Sequence, residues 1–351
     1  MSDFKNILRI AMAFVGVVVG AGIAAGQETL QFFSSFGYWG LLGGVVSGLC
    51  FAVLAMAVGE LSQVSVSQSF KEGIYLICGR HLGVPVDIMI TFFMFAIAVV
   101  MFAGGGSLLE QQWGVPAKYG SIAVMLVTVL IVFLRVDKVL AFIGSITPLL
   151  VLMVMFLCFY AWNTQQLPMD ELNDIAQTKP QGAGHWLVAA LLYVSYNMVV
   201  GAPFLMIAGS QASSKRNAML GGLLGGVILG LLIVLISSGV FGRIDTIGSA
   251  ALPMLMLASE QSAVLGTVMA VVIFAMILTT AVGVLYSFSA RILPVNTMKF
   301  NVGTAVAGVL ALVGAEVGFI NLVGTVYPFF GYLGFVLIAA ILIAWLRLRR
   351  V

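Results

Sequence analysis

"GVVVGAGIAAGQE", residues 16–28, interrupts the first apolar run of this chain. It holds four glycines (Gly16, Gly20, Gly22 and Gly26), and a glutamine and Glu28 follow the last of them. Glycines four residues apart form the G-x-x-x-G pattern by which membrane helices pack closely. The same glycines also permit a helix to break. The stretch therefore predicts either a tightly packed helix or a helix broken to hold a ligand.

The composition places the chain in a membrane. It has 351 residues, of which 62% are hydrophobic and 8% charged, and its mean hydropathy is +1.15. A soluble domain is about one quarter charged, and apolar runs long enough to span a bilayer recur along this sequence. These features predict an all-α polytopic membrane protein whose surroundings are the lipid bilayer. The net charge of +3 gives no indication of nucleic-acid binding.

We predict ten transmembrane spans, separated by polar or turn-forming segments. Their approximate limits are 5–33, 38–63, 83–109, 117–134, 139–162, 185–210, 217–241, 262–291, 298–314 and 318–346. With the N-terminus in the cytoplasm, 13 of the 16 lysines and arginines fall on the cytoplasmic side. This asymmetry follows the positive-inside rule and predicts that both termini are cytoplasmic.

The longest loop, residues 163–184, divides a single membrane domain, 1–351, into two sets of five spans, 5–162 and 185–346. Because each set has an odd number of spans, the second crosses the membrane in the opposite sense. Inverted repeats of this kind are common in secondary transporters. The topology therefore predicts a 5+5 inverted repeat.

Span six is the counterpart of span one in such a repeat, and it is also interrupted. It contains "YVSYNMVVGAP", with Ser195, Asn197 and Pro203 in the middle of an apolar run. Proline removes one helical hydrogen bond. Paired interruptions in corresponding spans indicate a transporter's binding site. We therefore expect helices 1 and 6 to be discontinuous.

The stretch "GAGI" at residues 20–23 resembles the G-S/A-G-I motif of the amino acid–polyamine–organocation superfamily, which has the LeuT-type fold. The wider "VVGAGIAAGQE" resembles the YkvI-like bacterial membrane proteins. The resemblance implies that the backbone amides of Ala21, Gly22 and Ile23 bind a substrate carboxylate. It implies that Ser195 and Asn197, with freed carbonyls of span six, face the substrate's ammonium group. It also implies residence in the bacterial cytoplasmic membrane.

Span eight carries two adjacent threonines, Thr279 and Thr280, in "VVIFAMILTTAVGVLYSF". In sodium-coupled members of the resembled superfamily, an ion lies between carbonyls of helix one and such a pair. The resemblance thus implies that Na+ is bound by five groups, which are the carbonyls of Gly16, Val19 and Met276 and the two threonine hydroxyls. The alternative is that each threonine bonds the carbonyl four residues earlier in its own helix.

Glu28 is a carboxylate within a membrane span, which marks it as a candidate functional residue. Four roles are open. The first is contact with a cationic substrate, the second is an outer gate, and the third is exchange of a proton. The fourth is a structural role, in which hydrogen bonds from Glu28 to its neighbours hold the half-helix in place.

Together these features predict a secondary active transporter, sodium-coupled, for a small amino acid or related amine. In the resembled fold, helices 1, 2, 6 and 7 would rock against helices 3, 4, 8 and 9. One alternative is proton coupling through Glu28 without sodium. An alternative from another class is a channel, but no ring of charged residues or repeated pore loop supports it. An enzyme is not favoured, because no nucleophile–base pair or histidine cluster is present.

Overall fold

The computed structural model describes residues 3–64, 70–134, 147–295 and 297–349, and all regular structure within them is helical. A single 3-10 turn, Ser34–Phe36, accompanies the α-helices. In chain order, the α-helices are α1 (Asp3–Val18), α2 (Ala21–Ala25), α3 (Gln27–Phe32), α4 (Tyr38–Leu61), α5 (Phe70–Trp113), α6 (Ala117–Leu134), α7 (Thr147–Asn163), α8 (Met169–Gln177), α9 (Trp186–Ser210), α10 (Lys215–Gly242), α11 (Ile244–Ile247), α12 (Pro253–Gln261), α13 (Ala263–Ile292), α14 (Met298–Ala315) and α15 (Phe319–Leu348).

The observed helices agree with the predicted spans. Within the described residues, seven helices are long and apolar enough to cross a membrane, namely α4, α5, α9, α10, α13, α14 and α15. In α5 the backbone leaves the helical conformation at Gly79 (φ +68°), before predicted span three begins. Two shorter apolar helices, α6 and α7, correspond to spans four and five. Span one is divided among α1, α2 and α3. Residues 139–146 of predicted span five lie outside the described residues, and the two five-span repeats stay a prediction.

Span one is broken at two glycines, as predicted. Helix α1 ends at Val18, and Gly20 then has an extended conformation (φ −92°, ψ −170°). After the five residues of α2, Gly26 has a φ of +83°. Residues with a side chain rarely adopt this left-handed conformation, so the glycine permits the second break.

Span six is continuous, which corrects the prediction that helix 6 is discontinuous. Helix α9 runs from Trp186 to Ser210 with Pro203 inside it. Proline removes one N–H donor, but it keeps a φ compatible with the helix. Span six has no glycine with positive φ to redirect the chain, and Gly201 lies tightly against Phe14 of span one. One lost hydrogen bond therefore does not separate the two halves of this helix.

Spans one, two, six and seven pack through small residues. Gly48 of span two faces Gly230 of span seven so closely that a Cβ on either would overlap the other backbone. Gly225 of span seven packs less tightly against span one, where a Cβ would lie 3.1 Å from the Ala11 carbonyl oxygen and from the Phe14 ring. Such close backbone approach is how membrane helices gain packing energy without a hydrophobic driving force. Spans three and eight also pack against each other.

Ion pairs tie helices together at the end of the bundle that holds the chain termini. Buried Glu60 of span two bonds Lys215 of span seven (3.1 Å) and Arg349 after span ten (3.2 Å). Asp87 of span three pairs with Arg291 at the end of span eight. Both carboxylates therefore hold separate helices in register.

Candidate functional site

A cavity of about 500 Å³ lies beside the break in span one. Its walls come from spans one, three, six, eight and ten, and most of the lining is apolar. Among the described residues, Glu28 is the one charged side chain in the wall. The cavity is therefore large enough for a small organic molecule and carries a single negative group.

Nine of the eleven residues predicted from the sequence lie in this wall. They are Gly16, Val19, Ala21, Gly22, Glu28, Asn197, Met276, Thr279 and Thr280. Residues from spans one, six and eight, far apart in the chain, are thus brought to one place.

Ile23 and Ser195 are outside the cavity wall, and their role as substrate-binding residues stays a prediction. The Ser195 hydroxyl donates to the Gly331 carbonyl of span ten at 2.7 Å, so it joins two helices. Ile23 is buried and lines a separate small void with Val154 and Ile236. The side chains of both residues face away from the cavity because a helix turns successive side chains in different directions. For Ile23 the predicted ligand is the backbone amide, which its side-chain direction does not exclude.

Glu28 lies at the closed end of the cavity and is 6% exposed. The Tyr196 hydroxyl donates to its Oε2 at 2.7 Å, and Tyr327 lies beside the same carboxyl group. The carboxylate also rests on Gly22, where an added Cβ would overlap it. No lysine, arginine or histidine in the described part of the chain pairs with it.

Three aromatic rings surround this carboxylate. The rings of Tyr196 and Tyr327 stack with their centroids 4.8 Å apart, and Phe93 of span three meets each of them edge-on at 6.3 Å. The sequence did not identify Tyr327, although a tyrosine next to a proline inside the last apolar run is an interruption of the same kind as the one in span six. Phe93 was not separable by sequence from Phe92, which is 62% exposed.

Gln27 is outside the cavity wall and bonds neighbouring parts of the protein, whereas Glu28 lines the cavity. With its amide nitrogen towards the loop before α12, it donates to the carbonyls of Ala250 and Ala251 at 3.2 Å each, and its oxygen accepts from Gln31. These bonds hold α3 against that loop. Two neighbouring polar residues of span one therefore serve different purposes.

Two of the three carbonyl groups predicted to bind an ion, those of Gly16 and Val19, have no backbone partner in the described part of the chain, whereas Met276 lies inside the continuous helix α13. Among the described residues, no backbone amide donates to the carbonyls of Gly16 or Val19, because Gly20 donates to Val18 instead. Thr280 Oγ1 lies 3.8 Å from the position that a Cβ on Gly20 would take. These oxygens suit a small hard cation.

Thr279 makes the bond that the alternative interpretation requires. Its hydroxyl donates to the Ala275 carbonyl at 2.8 Å. This bond uses the proton of the hydroxyl and leaves oxygen lone pairs available. The bond is therefore compatible with both interpretations of the threonine pair.

The cavity opens towards the end of the bundle that holds the termini. Gly16, Phe204 and Tyr286 in its wall are partly or fully exposed, whereas Glu28 and Tyr196 at the other end are buried. At the opposite end of the bundle, Gln111 exchanges two hydrogen bonds of 3.0 Å with Leu252. The cavity is thus exposed at one end and buried at the other.

Two proteins of Bacillus subtilis (strain 168) are similar to this chain over nearly its whole length. The uncharacterized membrane protein YkvI is 25% identical over 341 residues, which cover 95% of this chain and 94% of YkvI. The uncharacterized protein YyaD is 24% identical over 336 residues, which cover 96% of each chain. The resemblance to YkvI-like proteins is confirmed. No family model matches the chain.

The backbone is similar to solved transporter structures. Mhp1 in an inward-facing conformation matches with a TM-score of 0.63 and 14% identity, covering 94% of this chain and 72% of Mhp1. MhsT in complex with L-phenylalanine matches with a TM-score of 0.64 and 15% identity over 93% and 86% of the two chains. The chain has the LeuT-type fold. A manganese transporter of Eremococcus coleocola also matches, with a TM-score of 0.61 and 15% identity over 95% and 78% of the chains.

Proposed function

We propose that this protein is a secondary active transporter that carries a small amino acid or related amine by alternating access. The observation that carries the proposal is the central cavity beside the broken span one, exposed at one end and buried at the other. Binding groups at a helix break, midway along the membrane, are typical of transporters of this architecture.

The comparisons support transport as the class of function. The solved structures named above are of a manganese transporter, of MhsT with bound L-phenylalanine and of Mhp1. Their identities to this chain are low, so they support the mode of action and leave the substrate to the chemistry of the cavity.

The chemistry of the cavity supports a substrate with an amino group. An ammonium group is attracted both by a carboxylate and by the faces of aromatic rings. Glu28 supplies the first, and Phe93, Tyr196 and Tyr327 supply the second. The apolar remainder of the wall suits a hydrocarbon or aromatic substituent on the same molecule.

Sodium is the proposed coupling ion, transported together with the substrate. Its ligands would be the carbonyls of Gly16, Val19 and Met276 with the hydroxyls of Thr279 and Thr280, all of which line the cavity. The free carbonyls on span one support this assignment.

The protein would act in the bacterial cytoplasmic membrane with both termini in the cytoplasm. The distribution of basic residues supports this orientation. In that orientation the observed cavity faces the cytoplasm, and the transport cycle requires a second state that opens to the outside.

Thermal stabilisation of the purified protein tests the proposal. A panel of amino acids and amines is added in sodium chloride or in choline chloride, and ligand binding raises the melting temperature. We expect stabilisation that depends on sodium in the wild type and is lost in the double variant Thr279→Ala/Thr280→Ala.

Thr267→Ala is the matched control. Thr267 lies on the same helix and donates to the carbonyl four residues earlier, as Thr279 does, but it is exposed outside the cavity. Sodium dependence that is absent from the wild type, or unchanged in the double variant, contradicts sodium coupling. Absence of uptake of every panel compound into proteoliposomes contradicts the transport function itself.

Proton coupling is the second candidate, and it is favoured by the burial of Glu28 without a cationic partner. Uptake by Glu28→Gln at several pH values separates the two candidates. A normal rate with an unchanged pH profile excludes both a proton-carrying and a cation-binding role for Glu28.

A further inference from the structure

The carboxylate of Glu28 occupies the helix break where the resemblance places a substrate carboxylate. The resemblance assigns that group to the amides of Ala21, Gly22 and Ile23. In the structure, Glu28 lies directly over Gly22, so that a Cβ added there would overlap the Glu28 Oε1 and carboxyl carbon. The position beside the broken helix is therefore filled by the protein's own side chain.

A second carboxylate next to Glu28 would be opposed by like-charge repulsion. Within the described residues, the cavity wall contains no lysine, arginine or histidine to offset two negative charges. Glu28 itself is buried, where solvent screens charge poorly. The wall consequently disfavours a molecule that brings a carboxylate to the break.

The same surroundings favour a positive group. Glu28 has a hydrogen-bond donor in Tyr196, lies beside Tyr327, and has no ion pair in the described part of the chain. A buried carboxylate without a cation is costly unless it is neutralised. Two neutralising partners are chemically available, which are a proton and a ligand cation.

We propose that Glu28 is a built-in counter-ion that selects an organic ammonium ion lacking a carboxylate, and that the ammonium and a proton compete for it. The nitrogen binds the carboxylate between the rings of Phe93, Tyr196 and Tyr327. The apolar part of the molecule lies along Met94, Ile97 and Met101 of span three. On binding, the proton leaves Glu28 for the solvent and the ammonium takes its place.

Glu28 is the group that exchanges a proton in this competition, because the side chains that face it are tyrosines and a phenylalanine. Span six presents Tyr193 and Tyr196, span ten presents Tyr327, and span three presents Phe93, which has no proton to exchange. Span eight contributes Tyr286 to the more exposed part of the cavity. No other carboxylate, histidine or lysine of the described residues lines the cavity.

Matched amine and amino-acid pairs test the proposal, which rests on the proposed transport function. Phenethylamine is compared with phenylalanine, and isopentylamine with leucine, because the members of each pair differ by one carboxylate. Binding to the wild type in detergent is measured by thermal shift and calorimetry, and uptake is measured in proteoliposomes. We expect each amine to bind at least about tenfold more tightly than its amino acid, since the acid brings an uncompensated charge to a buried site.

Glu28→Gln tests the counter-ion directly, because glutamine keeps the size and loses the charge. We expect it to weaken amine binding by roughly 30-fold or more, the usual effect of removing one partner of a buried charge pair. Glu316→Gln, at an exposed helix end, removes one carboxylate outside the cavity and is the control. Lowering the pH should weaken amine binding to the wild type by up to about tenfold per unit, while Glu28→Gln shows no such dependence.

Three results would overturn the proposal. Equal or tighter binding of the amino acids contradicts it and leaves the transport function standing. So does amine binding that is independent of pH in the wild type, a measurement that does not require the variant to fold. If none of the four compounds binds or is taken up, this substrate assignment is wrong, and transport is then tested separately with the wider panel.

Discussion

Spans one and six occupy corresponding positions in the predicted repeat, yet only span one is broken. Span one contains Gly20 in an extended conformation and Gly26 with a φ of +83°. Span six contains Pro203 and stays helical from Trp186 to Ser210. The difference shows that a break in a membrane helix requires residues able to leave the helical region of φ and ψ. Loss of one hydrogen-bond donor is not sufficient.

The two spans consequently contribute different groups to the cavity. Span one supplies backbone carbonyls without partners, together with the Glu28 carboxylate. Span six supplies side chains, above all the Tyr196 hydroxyl that bonds Glu28. The Asn197 amide lines the cavity while donating to the Tyr193 carbonyl of its own helix. The hydrogen bond between Tyr196 and Glu28 links the broken helix to the intact one at the cavity, in addition to the packing of Gly201 against Phe14.

The largest effect is expected for Gly22→Ala. The added methyl group would displace the Glu28 carboxylate from the break. We expect ligand-dependent stabilisation to disappear and the free energy of unfolding to fall by about 1–3 kcal/mol from overpacking. Thermal shift with and without phenethylamine measures both effects.

Gly184→Ala is the control for this prediction, because a Cβ there meets no atom within 4 Å and the residue lies outside the cavity wall. It should keep ligand binding and stability near those of the wild type. A Gly22→Ala protein that binds ligand as the wild type does would show that Glu28 does not need its position over the break.

An intermediate effect is expected from substitutions at Gly26, where span one is broken, and at Pro203, where span six stays helical. Gly26→Ala places a side chain at positive φ and against Met254, so it should destabilise by about 1–2 kcal/mol or more. Pro203→Ala restores a helical donor in an already continuous helix and should stay within about 1 kcal/mol of the wild type. The melting temperatures of the two variants, each measured against the wild type, give the two losses of stability. A larger loss for Pro203→Ala would show that span six depends on its proline more than its observed conformation indicates.

The smallest effect is expected for Ser195→Ala. This change removes the bond to the Gly331 carbonyl between spans six and ten and should cost about 1 kcal/mol or less, the usual value for such bonds in membranes. Ligand affinity should not change, because Ser195 is outside the cavity wall. A clear loss of affinity at unchanged stability would contradict that placement.

Much of the site was predictable because it depends on local sequence. The glycines of span one permit the break, and the break exposes the carbonyls of Gly16 and Val19. The adjacent threonines Thr279 and Thr280 could also be identified from the sequence, because polar residues are few in an apolar run. The prediction of a break in span six was wrong. The sequence shows that Pro203 lacks a backbone N–H donor, but packing against neighbouring helices determines whether the helix continues.

Tyr327, Phe93 and the position of Glu28 could not be predicted because they depend on contacts between distant spans. Tyr327 reaches Glu28 only when span ten packs against spans three and six. Phe92 and Phe93 are equivalent in composition, and only helix packing turns one to the exterior and the other to the cavity.

Composition and the order of residues are enough to establish the membrane environment, the helical class and the break in span one. These follow from transfer free energies and backbone sterics, which act within a short stretch of chain. The charge balance of the cavity, the partner of Ser195 and the location of Glu28 over Gly22 depend on the folded arrangement. They are set by contacts between spans that are far apart in the sequence, and such contacts exist only after the helices have packed.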